Sequence, residues 1–81
     1  MAFVYVYILQ SEINSDCFYT GITENLHDRL RRHNAGEIPH TANHLPWRIN
    51  TAVAFTDRNR ASEFERYLKS ASGRAFARKR L

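Results

Sequence analysis

Two polar side chains of the predicted first helix stand at the edge of its apolar face, where a charged group needs a partner. Leu26 and Leu30 define that face, and at about 100° per residue Arg29 and His33 lie at its border, one turn apart. An arginine at the border of a core is either paired with a carboxylate or available to bind an anion. The sequence leaves both interpretations open.

The predicted second helix carries a carboxylate in a similar position. Ala61, Phe64 and Leu68 mark its buried side, Glu63 points away from them, and Glu65 lies at the edge of the apolar stripe. A carboxylate at that edge is either the structural partner of the arginine on the first helix or a ligand of a metal ion. The pattern alone does not separate these two hypotheses.

Phenols and a glycine share the faces of two predicted strands. Tyr5 and Tyr7 lie on one face of the first strand, and Tyr19 and Gly21 lie on one face of the second. Tyrosines on a half-buried sheet are usually core residues with a hydroxyl at the rim. The glycine, however, predicts a hollow beside Tyr19, at the foot of the arginine-bearing helix. We therefore expect one hollow with phenols on its floor and an arginine and a glutamate at its edges.

Hydrophobic patterning predicts the elements that hold these side chains, in the order β-β-α-β-α. The fold class is α+β, a sandwich-like arrangement in which a three-stranded, mostly antiparallel sheet is flanked by helices. The first strand is apolar throughout and is expected to be covered on both faces. The predicted elements are strands over 3–9, 17–23 and 47–56, helices over 26–35 and from 58 to about 70, a loop over 37–46, and a short basic helix or tail over 74–81.

Local signals mark the ends of the helices. Asn25 and Asp57 are predicted N-caps, and Gly36 stands where a helix C-terminus favours glycine. Ser72 and Gly73 are expected to break the second helix. All of residues 1–81 are interpreted as a single domain whose motif-bearing core covers about 4–69.

The net charge and the cysteine content indicate which kind of partner and which cellular compartment to expect. The chain has 81 residues and a formal net charge of +4, and ten of its twelve cationic residues are arginine. Because arginine suits bidentate contacts to phosphate, nucleic acid is the leading partner, although a merely solvated basic surface is the alternative. The single cysteine, Cys17, excludes an internal disulfide, and the apolar start is too short to span a bilayer. We expect a cytoplasmic protein.

Taken in order, these residues resemble the GIY-YIG nuclease superfamily. The matching segments are Tyr5-Val6-Tyr7, Tyr19-Thr20-Gly21, an arginine ten positions after Tyr19, and the helical stretch Ala61–Lys69 that contains the glutamate. The resemblance runs from about Val4 to Lys69 and is closest to the small single-domain bacterial members. Each motif is short, but the ordered set agrees with the helical-face argument given above.

The resemblance implies a role for each matched residue. Tyr7 corresponds to the tyrosine that acts as, or orients, the general base, and Tyr19 corresponds to the one beside the scissile phosphate. Arg29 corresponds to the phosphate-contacting arginine, and Glu65 to the ligand of one divalent ion, Mg²⁺ or Mn²⁺. His33 falls where many members also have a histidine. A phenol, with an ordinary pKa of about 10, needs nearby cations to lower that pKa, and the arginine and the metal are expected to do so.

Two features depart from the family pattern. The first motif reads Tyr-Val-Tyr, without the glycine and isoleucine of the family name. Tyr5 and Gly21 are assigned supporting roles, and Gly21 is expected to leave room for a phosphate. Many members use an asparagine in a late helix, whereas residues 69–81 contain neither asparagine nor glutamine. Contact with phosphate on that side is left to Arg74 or Lys79.

The resemblance implies a divalent-metal-dependent endonuclease that hydrolyses DNA phosphodiester bonds, structure-selective or weakly specific, with branched, flapped or single-stranded DNA as the expected substrate. Double-strand breaks would need a homodimer or two encounters, sequence-specific cutting would need a protein partner, and a role in DNA repair follows from family analogy. The alternatives are a catalytically silent nucleic-acid-binding module of the same fold and a protein-interaction domain. The expected contacts to the nucleic-acid backbone are Arg31, Arg32, Arg74, Arg78 and Lys79.

Overall fold

The computed structural model describes residues 2–81 of the chain. It contains three strands, three α-helices and a single turn of 3₁₀-helix. In chain order they are β1 (Val4–Ser11), β2 (Phe18–Thr23), α1 (Leu26–Asn34), the 3₁₀ turn (Pro39–Thr41), β3 (Trp47–Phe55), α2 (Arg58–Lys69) and α3 (Ala71–Arg80). The predicted α+β class and the β-β-α-β-α order are confirmed, and the segment predicted as a short basic helix or tail over 74–81 forms most of α3.

The sheet has the strand order β2-β1-β3, and both neighbouring pairs are antiparallel. Tyr7, in the middle of the central strand, stands opposite Gly21 on β2 and opposite Ala52 on β3. Because side chains alternate along a strand, β1 contributes to two separate cores, one on each face of the sheet.

One core lies between the sheet and the α2–α3 layer, where Val6 and Ile8 of β1 pack with Ala61 and Leu68 of α2. The second core lies on the α1 face of the sheet. There Tyr7 and Leu9 of β1 pack with Trp47 and with two partly buried leucines of α1, Leu26 and Leu30. The prediction that the first strand is covered on both faces is therefore confirmed.

The two predicted N-caps and the predicted glycine end of α1 are also found. The side chain of Asn25 accepts a hydrogen bond from the backbone N–H of Asp28 at 3.0 Å, and that of Asp57 accepts from Asn59 at 2.9 Å. Gly36, with φ of +75°, adopts the left-handed conformation that ends α1. No helix within residues 2–81 is long and apolar enough to cross a membrane.

The C-terminal segment differs from the prediction. The chain turns at Ser70, whose hydroxyl caps α3 by accepting from the backbone N–H of Gly73 at 3.1 Å, whereas a break was expected at Ser72 and Gly73. Gly73 instead lies buried in the first turn of α3. A Cβ on it would collide with the Tyr67 carbonyl and stand 2.6 Å from the Cα of Leu68. This glycine therefore permits close packing of α3 against the end of α2, where the sequence suggested a helix breaker.

We expect Gly73→Ala to destabilise the fold by about 1–3 kcal/mol, because the added methyl group meets backbone atoms that cannot rotate away. At an ordinary exposed helix position the same change stabilises by up to about 1 kcal/mol, so the sign is diagnostic. Urea unfolding followed by circular dichroism measures it. The neighbouring exposed change Ser72→Ala is the control, and stabilisation by Gly73→Ala would contradict the packing described here.

Candidate active site

A buried hydrogen bond joins β1 to the last turn of α1. The hydroxyl of Tyr7 lies 3.0 Å from Nε2 of His33, although the two residues are 26 positions apart. Tyr7 is 2% exposed and His33 is fully buried, so this contact is largely shielded from bulk solvent. The sequence placed His33 at the edge of the apolar face, and the structure buries it completely.

Sequence analysis missed a third member of this network, Thr41. The Nδ1 atom of His33 lies 2.7 Å from the Thr41 hydroxyl, which is also fully buried and lies 3.3 Å from the carbonyl of Ile38. The indole N–H of Trp47 donates to the Thr41 carbonyl at 3.0 Å, which anchors the 3₁₀ turn. The only available signal was a hydroxyl in a loop with two prolines, and that pattern does not single out a partner for a distant histidine.

The expected hollow above Gly21 is occupied by Tyr7. A Cβ on Gly21 would collide with the Tyr7 hydroxyl and lie 2.6 Å from its Cζ. The prediction that this glycine leaves room for a phosphate is therefore wrong. The physical reason is the register, because Tyr7 stands opposite Gly21 and its ring crosses β2 at the one position without a side chain.

Tyr19 and Tyr5, the other two tyrosines assigned to the site, differ in their contacts with the cluster formed by Tyr7, His33 and Thr41. The Tyr19 ring is half-buried, and its centroid is 5.1 Å from that of His33. Tyr5 instead packs against Phe3, with 6.2 Å between ring centroids. Tyr19 therefore belongs to the cluster, whereas the contacts of Tyr5 lead away from it.

Arg29 lies one turn before His33 on α1 and is half-buried. Of its two interpretations, the structural salt bridge is wrong, because no carboxylate within the described residues lies within 4.0 Å of its guanidinium. Its charge acts on the cluster all the same, since it lowers the pKa of both Tyr7 and His33. An arginine in this position is available to an anion.

Glu65 on α2 has an 18% exposed side chain and pairs with Lys69, one turn later, at 2.9 Å. The hypothesis that it is the structural partner of Arg29 is therefore wrong. The Glu65 charge raises the pKa of Tyr7, so the carboxylate lies within electrostatic range of the phenol. Residues 2–81 hold no group of three or more His, Cys, Asp or Glu side chains suited to a metal ion.

The phenol of Tyr7 is harder to ionise than expected. Burial, and then the neighbouring Tyr19, raise its pKa to about 12, and the lowering effect of Arg29 is smaller than these. The Arg29 charge does act to lower this pKa, but burial outweighs it, so the expectation that the pKa of Tyr7 lies below its ordinary value is not met by Arg29 alone. At neutral pH Tyr7 is a neutral hydrogen-bond donor, and burial also lowers the pKa of His33, which favours the neutral imidazole.

The five cationic residues expected to contact nucleic acid fall into two groups. Arg31 and Arg32 both pair with Asp28 at 2.9 Å, and their hydrogen bonds and charges, that of Arg31 first, hold the pKa of this carboxyl below its usual range. The remaining three cationic residues, which all lie exposed on α3, are Arg74, Arg78 and Lys79.

We expect the pKa of His33 to lie below its ordinary value of about 6.5, because burial first and then the charge of Arg29 lower it. Because the unfolded chain takes up this proton first, the stability contributed by neutral His33 is present above about pH 6.5 and is lost as the pH falls through the folded-state pKa. NMR titration of the labelled ring measures the pKa. Arg29→Gln should raise it and Arg32→Gln, the control, should not; a pKa at or above the ordinary value would contradict this account.

Comparison with known proteins agrees with the geometry. The family model described as the GIY-YIG catalytic domain matches residues 3–80, nearly the whole printed sequence. No curated protein and no solved structure matches the chain. The resemblance seen in the sequence is thus confirmed, and the chain belongs to the GIY-YIG catalytic domain family, which is a nuclease superfamily.

Proposed function

We propose that this protein is a divalent-metal-dependent endonuclease that hydrolyses DNA phosphodiester bonds. The observation that carries the proposal is the buried Tyr7–His33 hydrogen bond, set within electrostatic range of a guanidinium and a carboxylate. Hydrolysis of a phosphodiester needs a proton acceptor for the attacking water and positive charge at the phosphoryl oxygens. Arg29, which has no carboxylate partner within residues 2–81, is suited to the second task.

The proton acceptor is the Tyr7–His33 pair acting together. With a pKa of about 12, the phenol is not ionised at neutral pH and cannot take a proton from water unless it gives up its own. The neutral His33 ring, 3.0 Å away, provides the acceptor for that proton. The attacking water thus transfers a proton to the Tyr7 oxygen while the Tyr7 proton moves to Nε2 of His33.

This proton transfer from water through Tyr7 to His33, which we call the relay, requires one tautomer of the His33 ring. Thr41 sets that tautomer. Its hydroxyl proton is directed to the Ile38 carbonyl, an acceptor only, so its oxygen accepts from Nδ1–H of His33. Nε2 is then unprotonated and faces the Tyr7 hydroxyl. In this arrangement the relay is ready in the resting protein.

The side chains present fit a Mg²⁺ or Mn²⁺ ion held by Glu65 alone. Mg²⁺ keeps several water ligands and is commonly held by one or two carboxylates together with substrate phosphate, so one glutamate suffices. When bound, the ion would polarise the phosphoryl oxygens and oppose their developing charge. In the resting protein Lys69 neutralises the Glu65 carboxylate at 2.9 Å, and it must give way to the ion.

Weak sequence specificity, a cytoplasmic location and a role in DNA repair complete the proposal. They are supported by the resemblance to small members of the family, by the arginine-rich surface and by the single cysteine. Among DNA forms, branched, flapped or single-stranded substrates are favoured.

Glu65→Gln should reduce Mg²⁺-dependent DNA cleavage at least about a hundredfold, because the amide keeps the shape of the side chain but cannot hold the ion. Glu63→Gln is the matched control, since Glu63 is an exposed carboxylate on the same helix. Cleavage of a labelled oligonucleotide measures activity, and binding in EDTA shows that the variant still engages DNA. Full cleavage by folded Glu65→Gln would contradict the proposed metal site.

Thr41→Val should reduce cleavage at least about tenfold, because the His33 ring is no longer held in the tautomer that accepts from Tyr7. Thr41→Ser restores the hydroxyl and should restore activity. Nitrogen NMR of the imidazole reads the tautomer directly, with Nδ1–H expected in the native protein and a mixture in Thr41→Val. A native ring protonated at Nε2 would contradict the relay.

A further inference from the structure

A cleft of about 710 Å³ lies between the sheet and the α2–α3 layer. Its apolar lining includes Ile8 of β1 and Leu68 of α2, which continue the core on this face. The cleft is open to solvent, and α3 forms one of its walls through Arg74 and Arg78. No step of the proposed hydrolysis uses this cleft.

The charged side chains of the cleft are mainly cationic. Lys69, Arg74 and Arg78 line it against a single carboxylate, Asp16. Neither arginine has a carboxylate within 4.0 Å in the part of the chain that the structure describes. Two unpaired guanidinium groups beside an apolar floor are suited to a ligand that combines phosphates with flat, weakly polar groups.

An exposed aromatic ring stands in the same cleft. Phe18, the first residue of β2, is 52% exposed and lines the cleft together with Thr20 of the same strand. Nucleobases stack on such rings in proteins that bind single strands, where a basic groove follows the backbone. A base inside a duplex already stacks on its neighbours and offers no free face to Phe18.

The cleft adjoins the candidate active site. Lys69 lines the cleft and its Nζ lies 2.9 Å from the carboxylate of Glu65, while Tyr19 contacts both the cleft and the His33 cluster. A strand lying in the cleft would therefore reach Lys69, next to the proposed metal ligand.

We infer that this cleft binds an unpaired segment of the nucleic-acid substrate, with a base on Phe18 and phosphates on Arg74 and Arg78. Its volume is in the range of pockets that hold a drug-sized molecule, which corresponds to one or two nucleotides and not to a duplex. The inference rests on the proposed function, and it identifies an unpaired strand beside the scissile phosphate as the feature that selects substrates.

The test is fluorescence anisotropy with a labelled oligothymidylate of about ten nucleotides in EDTA, so that binding is measured without cleavage. Arg78→Glu should weaken binding about tenfold and make it less salt-dependent, since it removes a phosphate contact. Phe18→Ala should weaken binding about fivefold or more through loss of stacking, and Phe18→Trp should retain it. Both side chains are exposed, so folding is expected to be unaffected.

Arg60→Glu is the matched control, because it makes the same charge change at an exposed position of α2 outside the cleft lining. It should keep most of the affinity. An equal loss in Arg60→Glu and Arg78→Glu, or no loss in Phe18→Ala, would overturn the inference. Displacement of the oligonucleotide by polyglutamate at equal charge concentration would overturn it in favour of an acidic protein partner.

The two proposals fail separately. If the protein cleaves DNA but the cleft variants bind oligothymidylate normally, the endonuclease stands and the cleft assignment is wrong. If no metal supports cleavage while the cleft variants lose binding, the cleft binds single strands in a protein that is not a nuclease. Cleavage of flapped and unbroken duplex DNA at equal rates would also contradict the inference, because selection by an unpaired segment would then be absent.

Discussion

The hydrogen bond between the Tyr7 hydroxyl and Nε2 of His33 is the contact on which the candidate site depends. Both groups are buried, and a buried donor or acceptor without a partner costs roughly 1–3 kcal/mol. The bond therefore requires α1 to pack with its last turn over β1, and it requires Thr41 to satisfy the second nitrogen of the ring. Within residues 2–81 no buried side-chain nitrogen or oxygen lacks a hydrogen-bond partner, so the network is complete. The same bond that joins the two layers also holds a proton between two groups that could pass it on.

The side chains of the central strand, β1, point alternately to the two faces of the sheet. Tyr7 points into the core under α1, while Ile8 points into the core under α2 and α3. Glu65 belongs to the helix on the second face, yet its charge reaches the phenol on the first. Gly21 makes the crossing of the Tyr7 ring possible at the edge strand, where any larger residue would collide with it. The site thus combines side chains from both faces of the sheet. The basic cleft lies on the same face as the helix that carries Glu65.

Much of this arrangement followed from local patterns. The alternation in β1, the caps Asn25 and Asp57 and the glycine after α1 each act within a few residues, so the order and ends of most elements were predictable. What failed depends on contacts between distant residues. The sequence predicted a hollow at Gly21 and a helix break at Gly73, but the roles of both glycines depend on which atoms approach them from other elements. Neither the hydrogen bond of Thr41 with His33 nor the ion-pair partner of Glu65 could be predicted from the sequence. Periodicity assigns a side chain to a face of its helix or strand, but it does not identify the residue opposite. The raised pKa of Tyr7 could not be predicted for a related reason, since the extent of its burial depends on the packing of α1 over β1.

The most direct test of the account is cleavage of a labelled panel of duplex, single-stranded and flapped DNA by the native protein in Mg²⁺, in Mn²⁺ and in EDTA. We expect phosphodiester hydrolysis that requires the metal and is fastest on a substrate with an unpaired segment. Binding without hydrolysis under either metal, in protein shown to be folded, would contradict the central claim and would identify the chain as a member of the family that binds nucleic acid without cutting it.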